Sequence, residues 1–206
     1  MPQVLIFIIL FLVSAPAFVG AETIFVLGDS LTAGLGVKSS EAWPSLLEKR
    51  LKAAGYDVQL VNAGVSGDTT AGGRSRLKWS LEGGGGLPDV AIVALGGNDA
   101  LRGFETLTTR SNLDAILTEL KTLKIRILLA GMWAPPNLGE EYGIEFAAIY
   151  TDLAAKHKVP LYPFILDGVA AVRSLNQADG IHPNALGHTI IARRIEPYVI
   201  KLLTLD

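Results

Sequence analysis

Thr23-Ile24-Phe25-Val26-Leu27-Gly28-Asp29-Ser30-Leu31-Thr32-Ala33-Gly34 is a run of β-prone apolar residues that stops at Gly28, with a hydroxyl soon after. An unbroken apolar run of this kind is the mark of a parallel strand buried on both faces. Ligands of open α/β sheets collect beyond the carboxyl ends of the strands, so Ser30 stands where a nucleophile would be placed. Gly28 lets the backbone turn sharply. A plain strand-to-helix turn with a capping serine fits the same stretch. Three later pieces weigh against that plain reading: Ser66-Gly67-Asp68, Gly96-Gly97-Asn98-Asp99 and Asp179-Gly180-Ile181-His182-Pro183.

Working outward, the spacing of Trp43, Leu46, Leu47 and Leu51 predicts a helix over 41–54, capped by Ser39 or Ser40 and closed by Gly55. Val58 to Val61 reads as a second strand running into a small-residue loop, then a helix over 70–81. Gly83 to Gly86 reads as a linker, since no GK[ST] pattern follows to make it a phosphate cradle. Val90 to Leu95 is a third apolar run, ending at Gly96-Gly97-Asn98-Asp99. Helices are expected over 107–123, 144–156, 165–172 (a turn or two) and 185–203, with strands over 125–130 and 159–162. Strands alternate with helices and no hairpin signal intervenes, which means βαβ units. The expected fold is a three-layer α/β/α sandwich around a five-stranded parallel sheet in the flavodoxin-like order 2-1-3-4-5.

The chain has 206 residues, half of them hydrophobic, which suits one domain with a sizeable core and excludes disorder. A net charge of -2 gives no footprint for nucleic acid. There are no cysteines, so disulfides, thiolate metal sites and a cysteine nucleophile are excluded. Residues 1–21 carry no charged side chain, and their apolar stretch, Val4 to Val13, has the length of a signal-peptide core. Val19-Gly20-Ala21 offers small residues before Glu22, so 1–21 reads as a cleavable secretory signal and 22–206 as a single domain. No Lys or Arg precedes the apolar run, and an uncleaved membrane anchor is the competing reading. The expected location is the periplasm or the exterior, with no stable membrane partner after cleavage and a monomer favoured.

Acyl transfer needs a nucleophile, a base, a carboxylate to hold the base's tautomer, and donors aimed at the developing oxyanion. Ser30 lies beyond the first strand, Gly67 beyond the second and Asn98 beyond the third; Asp179 and His182 precede the last helix. In a parallel sheet these strand ends share one rim. Asp179 and His182 straddle a glycine, a spacing that lets the carboxylate reach one imidazole nitrogen while the other faces Ser30. Plainer readings stand beside each piece: Asp29 and Asp99 as helix caps or loop ties, Gly67 as a turn residue, Asn98 as a left-handed residue. The histidines are His157, His182 and His188, with no HExxH pair to suggest zinc. His157 reads as solvated beside Lys156 and Lys158, and His188 as a support for the Asp179–His182 loop or a bystander.

The four blocks in this order resemble the GDSL-type SGNH hydrolase family, over essentially all of Glu22 to Leu203. The likeness is carried by residues 27–33, 42–46, 66–69, 95–104 and 179–184, and looks nearest to small bacterial periplasmic esterases of the arylesterase, acyl-CoA thioesterase and lysophospholipase kind. The resemblance implies the SGNH hydrolase fold, with Ser30 as nucleophile, His182 as base and Asp179 as its orienting acid. It implies an oxyanion hole from the Ser30 and Gly67 main-chain N–H groups and the Asn98 side-chain amide, and no metal or cofactor. The serine is not in a GxSxG elbow, so the α/β-hydrolase arrangement is not implied.

Leu101, Phe104, Trp133, Pro135, Tyr142 and Ile181 fall beside these blocks and read either as loop packing or as an apolar shelf for an acyl chain. The substrate expected is a small acyl ester or thioester, or a lysophospholipid, of short to medium chain. Two other readings are a carbohydrate O-acetylesterase with a polar cleft and a non-catalytic module binding a small anion at its strand ends. The second gives no reason for the Asp179–His182 pair.

Overall fold

The computed structural model describes residues 21–83 and 86–204. The expected signal segment therefore lies outside the described residues except for Ala21, as do the middle two glycines of the Gly83–Gly86 linker. The elements run β1 (Glu22–Gly28), α1 (Ser30–Ala33), α2 (Trp43–Ala53), β2 (Val58–Gly64), α3 (Thr70–Glu82), β3 (Val90–Ala94), α4 (Gly97–Leu101), α5 (Thr106–Thr122), β4 (Arg126–Ala130), α6 (Glu140–His157), β5 (Leu161–Tyr162) and α7 (Ala185–Leu203). The sheet is parallel throughout in the order β2-β1-β3-β4-β5, as the sequence predicts. Helices α2 and α7 pack together on one face, and α3, α5 and α6 pack in a row on the other.

The burial pattern follows from that layering. All five residues of β3 are buried, and so are residues 24–28 of β1, because both strands are central and covered on both faces. Strand β2 is an edge, and only Val58 in it is buried. Trp43, Phe25, Phe146 and Tyr150 are the largest fully buried side chains and fill the space between sheet and helices.

Register fixes where the loops leave the sheet. Gly28 pairs with Gly64 on one side and Ala94 on the other, so β1, β2 and β3 end at one level. Ser30, Gly67 and Asn98 follow those ends within a few residues. Gly28 is required by close approach: a Cβ there would lie 2.1 Å from Thr32 Oγ1 as the chain turns back over it.

Several elements differ from expectation, each for a local reason. Residues Ser39–Glu41 form a separate 3-10 turn, and α2 begins at Trp43 with Pro44 in its first turn. Neither Ser39 nor Ser40 caps α2. The open Trp43 N–H donates instead to His188 Nδ1 on α7, 3.2 Å away. Helix α6 starts earlier than the apolar spacing suggests, because Glu140 and Glu141 favour its positive amino end. Residues 165–172 make hydrogen-bonded turns rather than helix, broken where Gly168 (φ 73°) and Ala171 (φ 62°) enter the left-handed region. The fifth strand is only Leu161–Tyr162, since Pro160 lacks a donor for the ladder.

His188 is thus neither bystander nor loop support: it caps α2 from across the helix layer. Burial pushes its pKa down from 6.5 to about 4, which keeps Nδ1 free to accept. The folded state then binds fewer protons than the unfolded chain between those values. The stability it contributes is complete above pH 6.5 and is lost as pH falls through about 4. His188→Ala should cost about 1–3 kcal/mol in urea unfolding at neutral pH. His188→Gln should flatten the acid decline in stability over that window, a comparison that unfolding at pH 7 and pH 4.5 reads directly.

Candidate active site

Asp29 closes β1 and caps α1, its Oδ1 accepting the Leu31 N–H at 3.0 Å. Ser30 opens the helix with 8 % of its surface exposed, and Gly34 ends it in the left-handed conformation. From the far end of the chain His182 brings Nε2 to 2.9 Å from Ser30 Oγ. Its Nδ1 lies 2.7 Å from Asp179 Oδ2. An ionised carboxylate only accepts, so Nδ1 carries the proton and Nε2 is left to accept from the serine hydroxyl.

The Asp179 carboxylate also builds the loop it stands on. Oδ1 accepts the N–H groups of His182 (3.0 Å) and Ile181 (2.9 Å) across Gly180. Those bonds, with the imidazole, pull its pKa down to about 2, led by the His182 main-chain N–H. Exposed as it is, Asp179 stays ionised through the neutral and mildly acid range.

Gly67 sits at φ 84° in a turn closed by Asp68 N–H on Val65 O, a conformation that a side chain would strain. Asn98 is helical, the second residue of α4, so the left-handed reading does not hold. Its Nδ2 donates to Asp68 O at 2.8 Å and keeps a second hydrogen. Asp99 is buried and accepts from Thr70 N (2.8 Å), Thr70 Oγ1 (2.5 Å) and Thr109 Oγ1 (3.3 Å), tying α3 to α4 and α5. It is a tie, as its plainer reading has it.

The expected shelf residues lie on this rim too: Leu101 and Phe104 past β3, Trp133 and Pro135 past β4, Tyr142 at the start of α6, and Ile181 next to His182. Leu101, Phe104, Trp133 and Ile181 are exposed; Tyr142 and Pro135 are half-buried. Tyr142 Oη donates to Phe104 O at 2.7 Å, and Trp133 stacks flat on Phe164 with centroids 4.2 Å apart. These contacts hold both rings in place, and Trp133 remains exposed.

His157 corrects an expectation. It is buried, with Nε2 2.6 Å from Asp114 Oδ1, at the end of α6 away from the rim. Asp114 is held below the usual carboxylate range by Lys156 first and His157 second. Among the described residues no three His, Asp or Glu side chains gather as metal ligands.

Gln177 belongs to the site and carries no motif. Its Nε2 donates to Leu35 O (2.6 Å) and Pro183 O (2.9 Å), pinning the chain after α1 to the chain after His182. Nothing local in the sequence relates residue 177 to residue 35; the two meet only through the fold.

A Ser–His–Asp chain at the carboxyl rim of a parallel 2-1-3-4-5 sheet, with a glycine turn and an asparagine amide alongside, defines a serine-hydrolase site on the SGNH fold. The model of the GDSL-like Lipase/Acylhydrolase family matches residues 26–190, and the chain belongs to that family, as an enzyme that hydrolyses ester bonds. Esterase TesA of Pseudomonas aeruginosa is 40 % identical over 89 % of this chain and 90 % of its own. Thioesterase 1/protease 1/lysophospholipase L1 of Escherichia coli K12 is 39 % identical over 87 % and 86 %. The crystal structure of AlinE4, an SGNH-hydrolase family esterase, superposes with a TM-score of 0.75 at 45 % identity, covering 90 % of this chain and 98 % of that one.

Asp29 lies directly beneath this site, and burial raises its pKa from 3.8 to about 6 against the opposing pull of the Leu31 N–H and His182. The folded state holds the proton more tightly than the unfolded chain, so ionising Asp29 as pH rises from about 4 to about 6 costs stability. Asp29→Asn keeps the acceptor for Leu31 and removes the charge. Above pH 6 it should be more stable than the parent by up to about 3 kcal/mol, with the advantage gone at pH 4. Equal denaturation midpoints at pH 7.5 would contradict this.

Proposed function

We propose that Ser30 is the acyl-accepting nucleophile, His182 its general base and later general acid, and Asp179 the group that fixes the imidazole. The observation that carries the reading is the unbroken chain from Asp179 Oδ2 to His182 (2.7 Å) to Ser30 Oγ (2.9 Å). His182 takes the hydroxyl proton as Oγ attacks the carbonyl, and imidazolium forms against the ionised Asp179. The oxyanion is received by the Ser30 and Gly67 N–H groups and the free Asn98 amide hydrogen, each donor worth about 3 kcal/mol. The leaving alcohol or thiol departs with the proton from His182. Water then repeats the sequence on the acyl-enzyme and frees the acid.

The substrates proposed are carboxylic esters, thioesters and lysophospholipids of short to medium acyl chain. Of the twelve large apolar residues exposed among the described residues, ten lie in the loops, the short helix α4 and the helix beginnings that follow the carboxyl ends of the strands; Trp79 and Leu87 do not. Leu101, Phe104, Trp133 and Ile181 give that rim a hydrophobic surface, with Pro135 and Tyr142 behind, suited to an acyl chain and poorly suited to a sugar. Relatives named as esterase and as thioesterase/lysophospholipase support the same substrate range. The apolar segment at 1–21 supports export to the periplasm or beyond, leaving residues 22–206 as one domain. Among the described residues no helix is long and apolar enough to cross a membrane.

Ser30→Ala should lower turnover of p-nitrophenyl butyrate by roughly 10⁴-fold or more and abolish labelling by a fluorophosphonate. Full activity in that variant ends the proposal. Asn98→Ala should cost on the order of 10²–10³ in kcat, and a loss below about tenfold would remove its donor role. Across p-nitrophenyl esters from acetate to decanoate, kcat/KM should peak beyond acetate. A sharp maximum at acetate would point to an O-acetylesterase instead.

A further inference from the structure

Arg76, on α3, belongs to none of the four motif blocks, yet its guanidinium touches both turns that frame the site. Nε donates to Asp68 Oδ2 at 2.5 Å, Nη2 to Gly28 O at 3.1 Å and Nη1 to Ser80 Oγ at 3.1 Å. Both members of the Arg76–Asp68 pair are 15 % exposed, so the bond is shielded from solvent exchange and salt far more than a surface pair.

The acceptors matter more than the count. Gly28 O is the last carbonyl of β1, one peptide before the Asp29–Ser30 turn, and it also receives the Val65 N–H at 3.0 Å. Asp68 follows Gly67 directly, and its main-chain oxygen anchors the Asn98 amide at 2.8 Å. The Asp68 carboxylate is seated against Gly72 at the start of α3, where a Cβ would lie 2.6 Å from Oδ1. One planar cation therefore holds the strand end before Ser30 and the residue that positions Gly67 and Asn98. The three proposed oxyanion donors come from three strand ends, and this guanidinium spans the gap between them.

Oxyanion stabilisation depends on donors already in place, because reorganisation during the reaction forfeits the gain. Misplacement by an ångström costs up to about a hundredfold. A lysine would supply the charge but not three directed donors in one plane. We infer that Arg76 is a positioning residue for the oxyanion site, setting Gly67 and Asn98 relative to Ser30. The inference rests on the roles proposed above for those three residues.

The test compares Arg76→Lys, Arg76→Gln and Asp68→Asn with the parent, on p-nitrophenyl butyrate, well below each variant's melting temperature. Rates are normalised to the fraction of Ser30 that a fluorophosphonate labels after prolonged exposure. The expected result is a kcat lower by ~10- to 100-fold with KM within about twofold, and no rescue by lysine. A purely structural role would lower the labelled fraction and melting temperature while leaving normalised kcat intact. Normalised kcat within threefold of the parent in Arg76→Lys and Asp68→Asn overturns the inference, as does a loss confined to KM. If the arginine variants do not fold, Asp68→Asn alone decides, since it keeps the carbonyl that holds Asn98. Failure of the parent to label at Ser30 would instead overturn the roles on which the inference rests.

Discussion

The level ending of three parallel strands is the constraint on which the rest of the molecule depends. Gly28, Gly64 and Ala94 are register partners across β2, β1 and β3, so the chain leaves the sheet three times at one height. Each exit then needs only a short turn to bring a polar group to a common point. For Ser30, Gly67 and Asn98 no long loop has to be ordered, which spares the conformational entropy such a loop would cost. Asp179 and His182 instead arrive on the long connection between β5 and α7, which its own turns and the Gln177 bonds hold down. The rigidity comes from strands buried on both faces, and the precision comes from side chains that cross between the turns: Asn98 to Asp68 O, Arg76 to Gly28 O, Gln177 to Leu35 O.

Two carboxylates near Ser30 are driven in opposite directions by their surroundings. Asp29 is buried, and desolvation outweighs the Leu31 N–H on its Oδ1, so its pKa rises to about 6. Asp179 stands in solvent with two main-chain N–H groups and an imidazole on it, and its pKa falls to about 2. The exposed residue is thus the dependable anion beside His182, while the buried one is chiefly a helix cap whose charge is expensive. Proximity to the serine in sequence is a poor guide to which acid matters; the donors around each carboxyl decide.

The sequence carried the sheet almost completely, because central parallel strands must be continuous apolar runs and β1 and β3 are such runs. It also brought forward Ser30, Gly67, Asn98, Asp179 and His182, since turn glycines and the spacing of Asp179 and His182 are local features. What it hid were groups whose partners lie on other elements. Ser39 and Ser40 read as caps for a helix over 41–54, whereas α2 begins at Trp43 and its first N–H is met by His188 on α7. His157 sits between lysines in sequence, yet folding turns it inward onto Asp114. The stretch 165–172 has helical spacing, but Gly168 and Ala171 adopt positive φ and the periodicity is not used. Arg76 and Gln177 were invisible for the same reason as His188: a hydrogen bond across the fold leaves no period or motif behind.

The Ser30–His182 contact joins residues 152 positions apart, and the cap on Trp43 is supplied by His188, still nearer the carboxyl end. On a ribosome releasing the chain from its amino end, β1 and the serine turn emerge long before either histidine exists. A growing or prematurely ended polypeptide therefore presents a hydroxyl with no imidazole to accept its proton, and an α2 whose first turn is uncapped. Under the roles proposed for Ser30 and His182, a chain that stops short of His182 lacks both the base and the cap, so one missing segment removes chemistry and stability together.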